Sequence, residues 1–128
     1  MLDRVGITVS DFARSKAFYE LALAPLGVTL LMEVTPEQSG GGAHAGFGDD
    51  GKPWFWIGTG DTPHGRTHVA LATASRANVD AFHAIALAVG GRDNGAPGLR
   101  PQYHPNYYGA YVLDPDGHNI EAVCHVPE

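Results

Sequence analysis

Positive charge, cysteine and long apolar runs are all scarce in this chain, and each scarcity removes a class of function. Only eight Lys and Arg residues occur among 128, scattered without a basic run, and the formal net charge is −6. No phosphate-tracking surface is expected, and nucleic acid is not expected as a partner. A lone Cys124 can form neither an internal disulfide nor a cysteine zinc cluster, which fits a reducing compartment; it reads as a small buried hydrophobe. No apolar stretch approaches the roughly 20 residues of a membrane span, and "MLDRVGITVSDF" has neither the basic start nor the apolar core of a signal peptide. The chain is therefore expected to be cytoplasmic, with no membrane partner. No Ser-His-Asp order or nucleophile elbow is present. "SGGG" (Ser39–Gly42) lacks the spacing and following helix of a phosphate cradle, so it reads as a flexible connection or lid.

What the sequence does contain is a copy of itself. A shift of 64 sets "RVGITVSDFARSKAFYELALAPLG" (Arg4 to Gly27) over "HVALATASRANVDAFHAIALAVGG" (His68 to Gly91) with eight identities in 24 positions, Phe18/Phe82 and Gly27/Gly91 among them. Further along, a shift of 66 sets "DGKPWFWI" over "DGHNIEAV" and pairs Phe55 with Glu121. Each copy begins with a strand, Arg4–Val9 or His68–Thr73, whose residues alternate in period 2. A helix follows in each. The first is capped by Ser10 or Asp11, buries Ser15, Phe18, Tyr19 and Ala22, and stops at Pro25 and Gly27; the second runs from about Arg76 to Val89 with Val79, Phe82, His83 and Ala86 inward. Three strands complete the first copy at Val28–Val34, Ala43–Gly48 and Pro53–Gly58, the last two joined by "DDGK". The second copy has a short strand near Leu99–Tyr103, then Tyr107–Leu113 and His118–Cys124 around "DPDG", and "GDTPHG" links the copies. The expected organisation is one domain of two βαβββ modules, about 1–60 and 67–126, neither large enough to bury its sheet well alone.

"VGITVSDFARSKAFY", "THVAL" and "DPDGHNIEAV" together resemble the glyoxalase, bleomycin-resistance and extradiol-dioxygenase superfamily, also called the vicinal oxygen chelate superfamily, along nearly the whole chain. The resemblance implies an α+β fold in which the two βαβββ modules form a curled mixed sheet around a central cup, with helices outside. Alternation along the last strand points Asn119, Glu121 and Val123 into that cup, with His68, Ala70 and Ala72 on the neighbouring strand. By the same counting Tyr107, Tyr111 and Leu113 face the cup, while Trp54 and Trp56 face the helix.

In metal-using members that this sequence resembles, the ion is held by His at the start of each module's first strand and Glu on each module's last strand. Through the repeat those positions are Arg4, Phe55, His68 and Glu121. His68 and Glu121 could hold one divalent metal, Zn, Fe, Mn or Ni; there may equally be none, because Arg4, which cannot ligate, stands where a His ligand would be. Three readings stay open. Arg4 pairs with Glu121 in a metal-free pocket; or a metal persists with His104, Tyr107 or His44 as substitute ligand; or His68 and Glu121 are structural groups satisfied internally. The catalytic candidates are Glu121, His104 and Tyr107, and the substrate-binding candidates are Arg4, Phe55, Tyr103 and Tyr111, the tyrosines and His104 falling in or beside "PQYHPNYYG". His64, His118 and His125 read as solvated.

The resemblance thus implies a small-molecule ligand and a homodimer. It points to metal-assisted lyase, isomerase or dioxygenase chemistry on a substrate with vicinal oxygens. Its alternative is metal-free binding or drug sequestration of the bleomycin-resistance type. Phe55 in place of a Glu speaks against a glyoxalase I mechanism.

Overall fold

The computed structural model describes residues 1–60, 65 and 67–128. Most of the "GDTPHG" link, with His64, lies outside the described residues. β1 (Val5–Thr8) buries Ile7 and leaves Gly6 open, as its alternation requires. α1 (Phe12–Ala22) starts at Asp11, whose carboxylate accepts from the Arg14 backbone N–H at 3.0 Å, and it buries Ser15, Phe18, Tyr19 and Ala22. β2 (Thr29–Val34) follows, then one helical turn, α2 (Pro36–Ser39), closed by a reciprocal cap between Thr35 and Gln38. β3 (His44–Asp49) and β4 (Lys52–Gly58) finish the module. Asp50 and Gly51 reverse the chain between them with φ of 49° and 75°, the paired positive values of a type I′ hairpin.

The second module repeats this as β5 (His68–Ala72), α3 (Arg76–Ala88, capped by Ser75), β6 (Arg92–Leu99), β7 (Tyr108–Leu113) and β8 (Asn119–Cys124). β6 is the strand that the sequence misplaced: it occupies Arg92–Leu99, and residues 101–103 form a turn. Gly95, Pro97 and Gly98 hide it, because it is an edge strand with two breaks in its pairing, where a proline without an N–H is tolerated.

Strand order is β1-β4-β3-β2 in one sheet and β5-β8-β7-β6 in the other, with one parallel pair and two antiparallel pairs in each. The curl is therefore delivered as two four-stranded sheets, not closed into one. The helices cover one face of each sheet, and α1, α3 and both covered faces share a single core of Phe18, Tyr19, Phe47, Phe55, Phe82 and Ile120 with smaller residues. "DPDGH" fastens the modules together. Asp114 accepts from the Tyr19 hydroxyl at 2.6 Å, Asp116 accepts from the Ser10 hydroxyl at 2.5 Å, and His118 donates from Nε2 to the Thr8 carbonyl at 2.8 Å. His118 is thus buried at the junction and not solvated.

β4 also corrects the repeat. Phe55 and Ile57 are fully buried, with the Phe55 ring 5.1 Å from that of Tyr19, so Phe55 belongs to the core and not to a substrate-binding face. Trp56 takes the opposite, open face, whereas the neighbouring Trp54 packs against the core. One residue causes this. β3 and β4 pair Gly48 with Pro53 but Phe47 with Phe55, which leaves Trp54 as an extra, bulged residue, whereas β7 and β8 pair without a break. A bulge of one residue exchanges the faces beyond it. β1 consequently pairs Gly6 with Trp56 where β5 pairs Ala70 with Glu121. Trp56 is the structural counterpart of Glu121, and Phe55 that of Ile120.

Candidate functional site

The open face of the second sheet is built in rows. Register sets Ala70, Glu121, Tyr111 and Gly95 side by side across four strands, with His68, Asn119, Leu113 and Arg92 in the adjoining row. Residues that pair across strands point to the same side, so these side chains share one surface. At its centre Glu121 is almost fully buried, 2 % exposed, although it lies on the open face. Its Oε1 is 3.0 Å from His68 Nε2, and its Oε2 accepts from the Tyr107 hydroxyl. A buried carboxylate must be satisfied in this way or be neutralised. Small neighbours make the room. Ala70 pairs with it on β5, and a Cβ on Gly109 would come within 3.5 Å of Glu121 Oε2.

Burial, the hydrogen bond to Glu121 and the Glu121 charge together hold the Tyr107 phenol far above its ordinary value near 10. Burial and the same charge also raise Tyr111. Tyr107 is therefore a fixed proton donor at neutral pH. His68 differs, because half of its side chain, 54 %, is exposed while its Nε2 touches the carboxylate. It connects a buried anion to solvent.

The remaining candidates fall at different distances from this centre. Tyr111 pairs with Glu121 across β7 and β8 and carries the Arg100 guanidinium over its ring at 5.5 Å. Tyr103 packs on Tyr107 with ring centroids 4.9 Å apart and is otherwise exposed. His104 lies behind Tyr107, 5.5 Å between ring centres, and its polar atoms are turned elsewhere: Nδ1 accepts from the Asn106 N–H at 3.1 Å and Nε2 is 2.8 Å from His125 Nδ1. His125 is thus an exposed partner in a histidine pair, which its position near the chain end did not signal. Arg4 stands on the other sheet. It is exposed, 3.7 Å from Asp3, and lines an open hollow of about 520 Å³ with Gly6, Val34, His44 and Trp56. The expected ion pair between Arg4 and Glu121 does not form within the chain; His68 and Tyr107 satisfy Glu121 instead.

The two-sheet architecture matches a known group. The family model for the Glyoxalase/Bleomycin resistance protein/Dioxygenase superfamily matches residues 1–122. The chain belongs to that superfamily. A glyoxalase/bleomycin resistance protein from Albidiferax ferrireducens T118 is 27 % identical, with 98 % of each chain covered and a TM-score of 0.72. Glyoxalase I from Zea mays is 26 % identical with a TM-score of 0.70; 97 % of the present chain matches 46 % of that one, so the chain spans about half its length. A mutant of the fosfomycin resistance protein FosX from Listeria monocytogenes, complexed with Mn(II) and 1S,2S-dihydroxypropylphosphonic acid, is similar in fold at 21 % identity, with 96 % of this chain and 90 % of that one covered and a TM-score of 0.68. No curated protein matches the chain.

A resident metal would need donors that this chain supplies only in part. His68 and Glu121 offer one nitrogen and one carboxylate, whereas Arg4 and Trp56 at the two equivalent positions of the first module offer no ligand atom. Among the described residues no group of three or more His, Cys, Asp or Glu side chains could hold a metal ion. A catalytic metal commonly has about three protein ligands. Within one chain the set does not fit.

Proposed function

We propose that the chain binds a small polar molecule on the open face of the second sheet, with Glu121 as its anchor. The observation that carries this reading is the carboxylate itself: buried on a face that, among the described residues, no helix or other strand covers, held from one side by Tyr107 and bridged to solvent by His68. A structural carboxylate needs neither a hollow of glycine and alanine around it nor an imidazole at the surface. A ligand donor reaching Glu121 beside His68 gains a charge-assisted hydrogen bond in a site poor in water. If the bound molecule carries an acidic proton, Glu121 is placed to accept it and His68 to pass it to solvent, while Tyr107 keeps the carboxylate oriented.

This is the sequestering, drug-resistance side of the superfamily more than its metal-dependent lyase or dioxygenase side. One observation favours the second reading. The 3.0 Å between His68 Nε2 and Glu121 Oε1 is a separation that two ligands of one ion, each about 2.1 Å away, can adopt. That reading requires further ligands from outside the chain, which a homodimer covering the open faces could bring. Sedimentation analysis tests the dimer directly.

The test of the main reading is a thermal-shift screen of polar small molecules against the wild type and Glu121→Gln. Compounds at about 100 times their Kd should stabilise the wild type by about 2.7 kcal/mol. They should lose that effect in the variant. Stabilisation that persists in Glu121→Gln would place binding elsewhere.

A further inference from the structure

A second feature of the same face says what kind of molecule the site takes, and it rests on the reading of Glu121 just given. Beyond His68 the surface opens into a cleft of about 560 Å³ whose walls include His68, Leu113, Asn119, Asn94, Arg92 and Asp116. Four of these form the row His68, Asn119, Leu113, Arg92, one residue from each strand of the sheet. With strands about 4.8 Å apart, Arg92 and Glu121 are separated by two strands and one row, so their backbones lie on the order of 10 Å apart. A single small molecule can reach both.

The charges of the cleft are not equal in availability. Asp116 is committed to the module junction, where it accepts from the Ser10 N–H and hydroxyl and lies 3.5 Å from Arg14 Nη2. Asp93, the neighbour of Arg92 in sequence, is bonded to His83 Nε2 at 2.9 Å and to the Gly95 N–H at 3.0 Å. Those bonds, with the His83 contact first, hold its carboxyl below the usual range, so it remains an anion engaged with α3. Arg100, by contrast with Arg92, donates from Nη2 to the Ala96 carbonyl at 2.7 Å and lies over Tyr111. Arg92 is exposed, and among the described residues it makes no ion pair. Beside it Asn94 Nδ2 donates to Asn119 Oδ1 at 3.2 Å, which fixes the Asn119 amide and leaves its NH2 group to donate.

We propose that this cleft receives an anionic oxygen group of the ligand, a carboxylate or a phosphate, with Arg92 as counter-ion and the Asn119 and Asn94 amides as donors. The ligand is then bipolar: its acidic end lies at Arg92 and its hydrogen-bond-donating end at Glu121. A guanidinium suits this task because its fork matches two oxygens of either group. The guanidinium also offsets locally the formal net charge of −6, which disfavours anions over the surface as a whole.

The test uses inorganic phosphate and acetate as separate probes, titrated at constant ionic strength into the 15N-labelled full chain while the side-chain amide signals of Asn94 and Asn119 are followed. The expected result is a saturable shift of both amides with at least one probe, weakened at least tenfold in Arg92→Gln. Saturation by phosphate alone would assign a phosphate, and saturation by acetate would assign a carboxylate. Shifts that never saturate, or that survive unchanged in Arg92→Gln, would overturn the proposal. Arg92 is exposed, so the variant is expected to fold, and unaltered backbone signals away from the cleft verify it. Because these probes report on the Arg92 cleft alone, their failure leaves the Glu121 reading standing, whereas failure of the Glu121 screen would leave an anion cleft and remove the bipolar ligand.

Discussion

The two modules share strand order, parallel and antiparallel pairing, and a capped helix against the covered face, yet their open faces carry different chemistry. At equivalent positions the first module presents Arg4 and Trp56 and the second His68 and Glu121. The covered faces differ far less, both being filled by aliphatic and aromatic side chains. Duplication has kept what packs and released what faces outward. That is the physical expectation, because a core tolerates little change in volume, whereas an open face tolerates any side chain that water can reach. Only the second module's open face holds a buried carboxylate among the described residues.

The sharpest way to break the comparison is to exchange Phe55 and Trp56 in their roles. Phe55→Glu puts an unpaired carboxylate beneath α1 and should destabilise the fold by about 3–5 kcal/mol in urea unfolding. Trp56→Glu, one residue along, places the same group on the open face as the counterpart of Glu121. It should cost less than half as much, and similar losses for both would contradict the bulge at Trp54. Next in size is the junction: Tyr19→Phe leaves buried Asp114 without its hydroxyl donor and should lose about 1–3 kcal/mol. Tyr107→Phe does the same to Glu121 on the open face, and should lose a similar or smaller amount because water and His68 can compensate.

The smallest effect is the alkaline limb of stability. The folded Tyr107 phenol titrates far above its ordinary value near 10, so its contribution is complete below pH 10 and declines as pH rises and the unfolded chain ionises first. Stability measured between pH 9 and pH 11 should therefore fall more steeply in wild type than in Tyr107→Phe. Equal slopes would mean that Tyr107 is not pinned to Glu121.

Much of this was legible in the sequence. The buried stripe Ser15, Phe18, Tyr19 and Ala22, the caps, the duplication and the outward position of Glu121 all follow from periodicity, because helix and strand periods read directly onto faces. The failures share a cause. Sequence alignment by a fixed shift cannot see that Trp54 is bulged out of the pairing, so Phe55 was assigned to the wrong face. β6 was hidden because its glycines and proline obscure a strand pattern that an edge position permits. His118 seemed a turn residue because nothing local announces a contact with Thr8, 110 positions away in the chain. Arg4 could be named as the missing ligand, but its distance from Glu121 depended on how the two sheets stand, which no local pattern encodes. Arg92 and Asn94 lie on β6 and are obscured with it.

The central claim is that Glu121 and His68 serve a ligand site without a complete set of metal donors in the chain. Elemental analysis of purified, untagged protein after gentle dialysis, beside His68→Gln and Glu121→Gln, tests it most directly. The account predicts well under stoichiometric metal in all three proteins, with ligand-induced stabilisation in the wild type and its loss in Glu121→Gln. Near-stoichiometric Zn, Fe, Mn or Ni in the wild type, lost in both variants, would contradict it.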